Sequence, residues 1–130
     1  MIMDIAAAII YKGDSVLLAR RPEGSHLGGL WEFPGGKVRP GEEPEAAARR
    51  EAKEETGLQL QEMALLHRQE FAYPERGVDI SFFLCGAFTG EARGREGQEI
   101  RWVPAGSLPD FPMPPANAAA VQLILDQFAK

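Results

Sequence analysis

The chain has a single cysteine, Cys85, so no disulfide can form within it. That cysteine sits in the apolar stretch Phe82-Phe83-Leu84-Cys85, where a buried structural thiol is expected rather than a reactive one. Basic charge is also scarce: 14 Lys and Arg stand against 19 Asp and Glu, a net charge of −5. Binding to a DNA or RNA duplex needs clustered cations against the phosphate backbone, so this balance argues against it. A small anionic nucleotide can still bind locally where metal ions and a few basic residues line a site. No apolar run reaches membrane-spanning length, and no repeat, low-complexity tract or linker is present. The opening segment MIMDIAAAII carries an acid instead of a basic n-region and runs into a strand pattern, so a cytoplasmic location is expected.

What is present fits one mixed α/β domain over residues 1–130, long enough for a sizeable core. Residues 3–11 and 15–20, rich in Ile, Val and Leu and joined through Lys12-Gly13-Asp14, read as a hairpin. Residues 21–30, with Pro22, Gly24, Gly28 and Gly29, read as a loop. A short strand around Trp31-Glu32-Phe33 leads into Pro34-Gly35-Gly36. Two β-type segments, 61–73 and 77–89, flank Pro74-Glu75-Arg76-Gly77 as a second hairpin, and Ile100-Arg101-Trp102-Val103 forms a further strand. A C-terminal helix starts near Asn117, with Val121, Ile124, Leu125 and Phe128 facing the core.

The segment GKVRPGEEPEAAARREAKEETGL, residues 36–58, carries the most chemistry. From Pro44 to Thr56 it reads as one helix. Proline is tolerated in a first turn, alanines and long side chains fill the interior, and Gly57 stands where a left-handed helix end favours glycine. Glu51, Glu54 and Glu55 follow at i, i+3 and i+4 and share one helix face. Like charges crowded together repel, and a hard divalent cation such as Mg2+ is what carboxylate oxygens take between them. A solvated acidic face is the bland alternative.

Gly36, Glu42, Arg50-Glu51, Glu54-Glu55 and Gly57-Leu58 stand at the spacing of the Nudix box, and the chain resembles Nudix hydrolases, which cleave a nucleoside diphosphate linked to another group. Ala52 is smaller than the branched aliphatic residue usual there. The resemblance implies an α/β/α sandwich with a mixed β-sheet between helices. It also implies Mg2+ as cofactor, with Mn2+ able to substitute, held by Glu51, Glu54 and Glu55 and approached by the backbone carbonyl of Gly35 or Gly36. Glycine lets main chain come close there. One of the glutamates takes the proton from water. Arg50 pairs with a carboxylate and orients it, with an exposed surface pair as the alternative. Glu42 braces the loop against the helix. Glu96 best fits the loop acid that family members add from outside the box, and Glu99 competes for that role.

Three further segments resemble the MutT branch: Leu30-Trp31-Glu32-Phe33-Pro34-Gly35-Gly36-Lys37, Tyr73-Pro74-Glu75-Arg76, and Phe111-Pro112 with Pro114-Pro115-Ala116-Asn117. MutT proteins hydrolyse 8-oxo-dGTP to 8-oxo-dGMP and pyrophosphate and so keep the oxidised base out of DNA. The resemblance implies a nucleoside triphosphate as the partner. Oxidation at C8 makes N7 a donor, and an asparagine amide can pair with a carbonyl and an N–H on one purine edge. Asn117 is assigned that role, with a helix N-cap as the alternative. Phe33 packs on the base or in the core, Arg21 and His26 match positions near the nucleotide, and Lys37 and Arg76 suit phosphate or loop contacts. A CTP or modified-dCTP hydrolase is the enzymatic alternative, and a nucleotide-sensing module the non-enzymatic one. Both monomer and dimer remain open.

Overall fold

The computed structural model describes residues 2–25 and 27–128. Nine strands and two helices follow in chain order: β1 Ile2–Lys12, β2 Ser15–Arg20, β3 Trp31–Glu32, β4 Gly35–Lys37, α1 Pro44–Thr56, β5 Gln59–Leu60, β6 Ala64–Ala72, β7 Gly77–Cys85, β8 Phe88–Thr89, β9 Ile100–Pro104 and α2 Ala118–Phe128. The main sheet runs β3-β2-β1-β7-β6, with β4 against β1 and β9 against β2. β1 and β7 are parallel, from Ile2↔Gly77 to Ile10↔Cys85, and the other pairs are antiparallel. The sheet is mixed, as expected.

Alternation along β1 divides the interior in two. Ala6, Ala8 and Ile10 join Ala47, Ala48 and Ala52 of α1 in one core, while Ala7 and Ile9 join Ala120 and Ile124 of α2 in the other. Side chains of a strand point to opposite faces by turns, so a strand apolar on both faces must be covered on both. β7 repeats the pattern, with Val78, Ile80 and Phe82 on the α2 side and Phe83 and Cys85 on the α1 side. The result is the helix–sheet–helix sandwich. Cys85 is buried, its thiol donating to the Ala87 carbonyl.

Between α1 and β1 the core is largely alanine, Ala47, Ala48 and Ala52 with Ala6 and Ala8, which lets the helix lie close to the sheet. Ala52, undersized for its position in the motif, is fully buried there. α1 spans the expected residues, with Pro44 in the first turn and Gly57 at φ 81°, its N–H bonded to the Lys53 carbonyl at 2.9 Å. Three details differ from expectation. Gly35–Lys37 is a strand, paired so that Ala6 faces Gly36. The second hairpin stops at Cys85, and β5 and β8 pair with each other instead. Pro115–Asn117 forms a 3-10 turn ahead of α2. Because the α1 core is packed with alanine, Ala48→Leu should cost about 1–3 kcal/mol by overpacking. A thermal melt should show a clear fall in Tm, and an unchanged Tm contradicts the close approach.

Candidate functional site

α1 presents its glutamates to the Gly35–Gly36 strand, and an arginine clasp holds that arrangement. Arg50 donates from Nε to Glu42 Oε2 at 2.9 Å, from Nη2 to Glu42 Oε1 at 2.9 Å, and from Nη2 to the Lys37 carbonyl at 3.0 Å. It also faces Glu51 at 3.3 Å and Glu54 at 3.6 Å. Glu42 in turn accepts from the Arg39 N–H at 3.0 Å, so the loop before α1 is tied to the helix. The hydrogen bonds from Arg50, then from Arg39, hold the Glu42 carboxyl down at about 2. A bidentate guanidinium of this kind fixes both position and orientation.

Glu51 lies against the glycine strand. A Cβ added to Gly36 would stand 1.6 Å from Glu51 Oε2, so any side chain at 36 displaces that carboxylate. Gly35 is needed for a different reason: a Cβ there would meet the Ala6 carbonyl of β1 at 2.3 Å. Burial, then the hydrogen bond with Glu54, pushes the Glu51 carboxyl up to about 7 against the pull of Arg50. Glu55 is pushed up to about 9 by burial and by the negative charges of Glu32, Glu51 and Glu96, with a Gly35 backbone hydrogen bond working the other way. These acids are short of positive charge.

As they stand, no three of the described His, Cys, Asp or Glu side chains form a ready cation cage. Glu54 is bound toward Arg50 while Glu55 turns inward. The donor set nevertheless fits a hard divalent ion: it is all oxygen, it carries surplus negative charge, and Gly36 leaves its Cβ space to the Glu51 carboxylate. Glu96 faces the same acids from a loop that docks on the end of α1. There Arg93 N–H donates to the Thr56 carbonyl and Arg95 N–H to the Glu55 carbonyl, each at 3.0 Å, and Arg95 Nη1 to the Lys53 carbonyl at 3.2 Å. All three lie in the last turn of α1, where the Glu55 and Thr56 carbonyls have no partner within the helix. Glu99, the competing acid, is paired with Arg101 at 2.9 Å on the β9 side.

On the other side of the glycine strand opens a cleft of about 350 Å3. Met3, Ile5 and Ala7 of β1 and Val78 and Ile80 of β7 line it together with Phe33, Gly35, Gly36 and Lys37. Arg21, Arg76 and Asn117 also line it, so five of the residues read from the sequence as nucleotide contacts converge there. The sixth, His26, lies outside the described residues. Phe33 does two things: it is 3% exposed in the α2-side core, edge-on to Phe82 at 6.1 Å, and it forms part of the cleft wall.

Asn117 is 7% exposed, and its backbone N–H donates to the Pro114 carbonyl at 3.0 Å. Its side-chain amide makes no hydrogen bond among the described residues, capping bonds to α2 included, yet neither amide atom is sealed from solvent. An amide that water still reaches and no described side chain engages can exchange that water for a ligand edge.

Two cleft residues escaped sequence reading. Glu32 is bound to Arg21 at 2.9 Å, and burial raises its carboxyl. Tyr73 accepts the Ala116 N–H at 3.3 Å, beside Asn117. The signal for Glu32 was an acid set between the apolar Trp31 and Phe33, both of which are buried.

A mixed sheet between two helices, with an acidic helix face bordering a cleft of about 350 Å3, suits a phosphate compound held through a divalent ion. The NUDIX domain family profile matches residues 1–124, and the chain belongs to the Nudix family of hydrolases. It is 39% identical over 127 residues to an 8-oxo-dGTP diphosphatase of Haemophilus influenzae, covering 97% of this chain and 93% of that one. It is 31% identical over 125 residues to a CTP pyrophosphohydrolase of Escherichia coli, covering 95% and 91%. A solved structure from work on MutT of Aliivibrio salmonicida and Vibrio cholerae superposes with a TM-score of 0.85 at 36% identity, covering 98% of this chain and all of that one. Nudix hydrolases generally need a divalent metal. Among the described residues, no helix is long and apolar enough to cross a membrane.

The glutamate environments set a pH dependence. Glu51 and Glu55 lie above their ordinary 4.5 in the folded chain, so the fold holds protons that the unfolded chain releases. Their contribution to stability is full below about pH 4.5 and is lost as pH rises through about 7 and about 9. The Tm of the metal-free protein should therefore fall between about pH 5 and pH 9, and Mg2+ should raise it more at the alkaline end. A Tm that climbs across this range, or an Mg2+ shift independent of pH, contradicts the assignment.

Proposed function

We propose that this chain is a Mg2+-dependent nucleoside triphosphate pyrophosphohydrolase that takes 8-oxo-dGTP and releases 8-oxo-dGMP and pyrophosphate. It works as one domain in the cytoplasm, cleansing the nucleotide pool. The observation that carries the reading is Asn117: a largely buried residue of the cleft that borders the acidic face of α1, whose amide has no hydrogen-bond partner among the described residues. Its acceptor and donors match the N7–H and O6 edge of an 8-oxopurine, whereas ordinary guanine offers two acceptors there. A site that leaves buried groups unpaired with the wrong base discriminates by up to about 10⁴-fold.

Glu51, Glu54, Glu55 and Glu96, with the Gly35 or Gly36 carbonyl, hold the cation, and Mn2+ can replace Mg2+. When bound, the ion supplies positive charge against the phosphoryl oxygens. Arg50 keeps Glu51 and Glu54 turned to the site while its tie to Glu42 fixes α1 against the preceding loop. One glutamate accepts the proton of the attacking water, which bonds to the β-phosphorus as the bond from that phosphorus to the α–β bridging oxygen breaks, so that the oxygen leaves with 8-oxo-dGMP and the water oxygen ends in pyrophosphate. Phe33 walls the base pocket, Arg21 is held there by Glu32, and Lys37 and Arg76 face the nucleotide from the rim. His26, outside the described residues, is assigned to the nucleotide on the sequence resemblance alone. The CTP pyrophosphohydrolase relative supports a pyrimidine triphosphate as the second reading.

Steady-state kcat/KM on 8-oxo-dGTP, dGTP, dCTP and CTP with Mg2+ separates the two. 8-oxo-dGTP should lead, and Asn117→Ala should collapse its advantage over dGTP. If Asn117 served only as a cap, the variant should lose about 1 kcal/mol of stability and keep the substrate ratio. An unchanged ratio removes Asn117 from the site, and a preference for CTP replaces the first reading by the second.

A further inference from the structure

One side chain joins the loop of Glu96 to the end of α1 by two hydrogen bonds. Gln98 Nε2 donates to the Glu55 carbonyl at 3.0 Å, and Gln98 Oε1 accepts from the Glu96 N–H at 2.9 Å. The two partners fix which end of the amide is which, since one needs a donor and the other an acceptor. Around this link the loop folds tightly. Gly97 N–H donates to the Gly94 carbonyl at 3.1 Å, and a Cβ at Gly94 would stand 2.0 Å from the Gln98 carbonyl oxygen. Arg95 N–H reaches the same Glu55 carbonyl at 3.0 Å. The backbone of Glu96 is thereby tied to the backbone of Glu55, whose own side chain belongs to the acidic face.

We propose that Gln98 is the positioning residue that sets Glu96 over the acidic face of α1, and so adjusts how tightly the site takes a divalent cation. This rests on the reading above, in which Glu96 joins the glutamates of α1 around the ion. A loop carboxylate can be replaced by water as a ligand, so its value depends on being held in place before the ion arrives. Only an amide of this length meets both partners. Methionine fills the same space with neither group, and asparagine keeps both but is one methylene short.

The test is Mn2+ binding to the free protein, followed by electron paramagnetic resonance without nucleotide, on wild type, Gln98→Met, Gln98→Asn, Glu96→Gln and the Gln98→Met/Glu96→Gln double variant. Gln98→Met and Gln98→Asn should each weaken Mn2+ on the order of 10-fold, the range seen when partners behind a metal ligand are removed. Glu96→Gln should weaken it comparably, and the double variant should bind no more weakly than Glu96→Gln alone, because Gln98 acts through Glu96. Wild-type affinity in both Gln98 variants overturns the proposal, as does a double variant in which the two losses multiply. If Glu96→Gln binds Mn2+ like wild type, the placing of Glu96 at the ion fails and the proposal fails with it. That outcome is distinct from a failure of Gln98 alone.

Discussion

Glu51 occupies the space that a side chain at Gly36 would fill, and much of the molecule is arranged around that contact. α1 must run close enough to β4 for a glutamate to reach the strand, and the alanine-lined core beneath α1 permits that approach. Bringing carboxylates so near one another costs electrostatic free energy, visible in the raised Glu51 and Glu55 carboxyls. Arg50 offsets part of it, yet its best hydrogen bonds go to Glu42 and not to the glutamates of the face. The remaining negative charge is what a cation, and behind it a polyphosphate, can use.

The glycine strand is also where chemistry meets recognition. Gly35 and Gly36 belong to the cleft wall on one side and touch the acidic face on the other, so a ligand filling the cleft lies next to α1. Segments remote in sequence shape the cleft: β1 and β7 give its apolar floor, the Tyr73–Arg76 turn one rim, and the Pro114–Asn117 segment another. Tyr73 links the two rims by accepting the Ala116 N–H. Side chains held by a rigid sheet and short turns suit discrimination between bases that differ by one donor.

α1 and its glutamates were legible because every signal is local: Pro44 at the start, Gly57 at the end, and acids whose helical spacing fixes their common face. The first hairpin was equally plain from Lys12-Gly13-Asp14. The parallel pairing of β1 with β7 was not, since it joins distant segments with no turn to announce it. β4 was not anticipated because two adjacent glycines carry no strand signal, and the pairing with Ala6 and Ala7 of β1 explains them as a strand. At the site, Glu96 was preferred to Glu99 by resemblance alone, and their different surroundings were not legible in the sequence. Those surroundings depend on Arg101 engaging Glu99 and on the loop docking to the end of α1. The pairing of Glu32 with Arg21 likewise exists only once β3 is laid beside β2.

The account stands or falls on Glu51 as the carboxylate that joins α1 to the glycine strand and to the reacting phosphate. Glu51→Gln keeps the shape and removes the charge, so the fold and Tm should survive, and the variant isolates the chemistry. With saturating Mg2+, kcat on 8-oxo-dGTP should fall about 10²–10⁴-fold, the range for losing a group that acts at the reacting centre. A folded variant that keeps roughly a tenth of the wild-type kcat, well outside that range, would contradict the account.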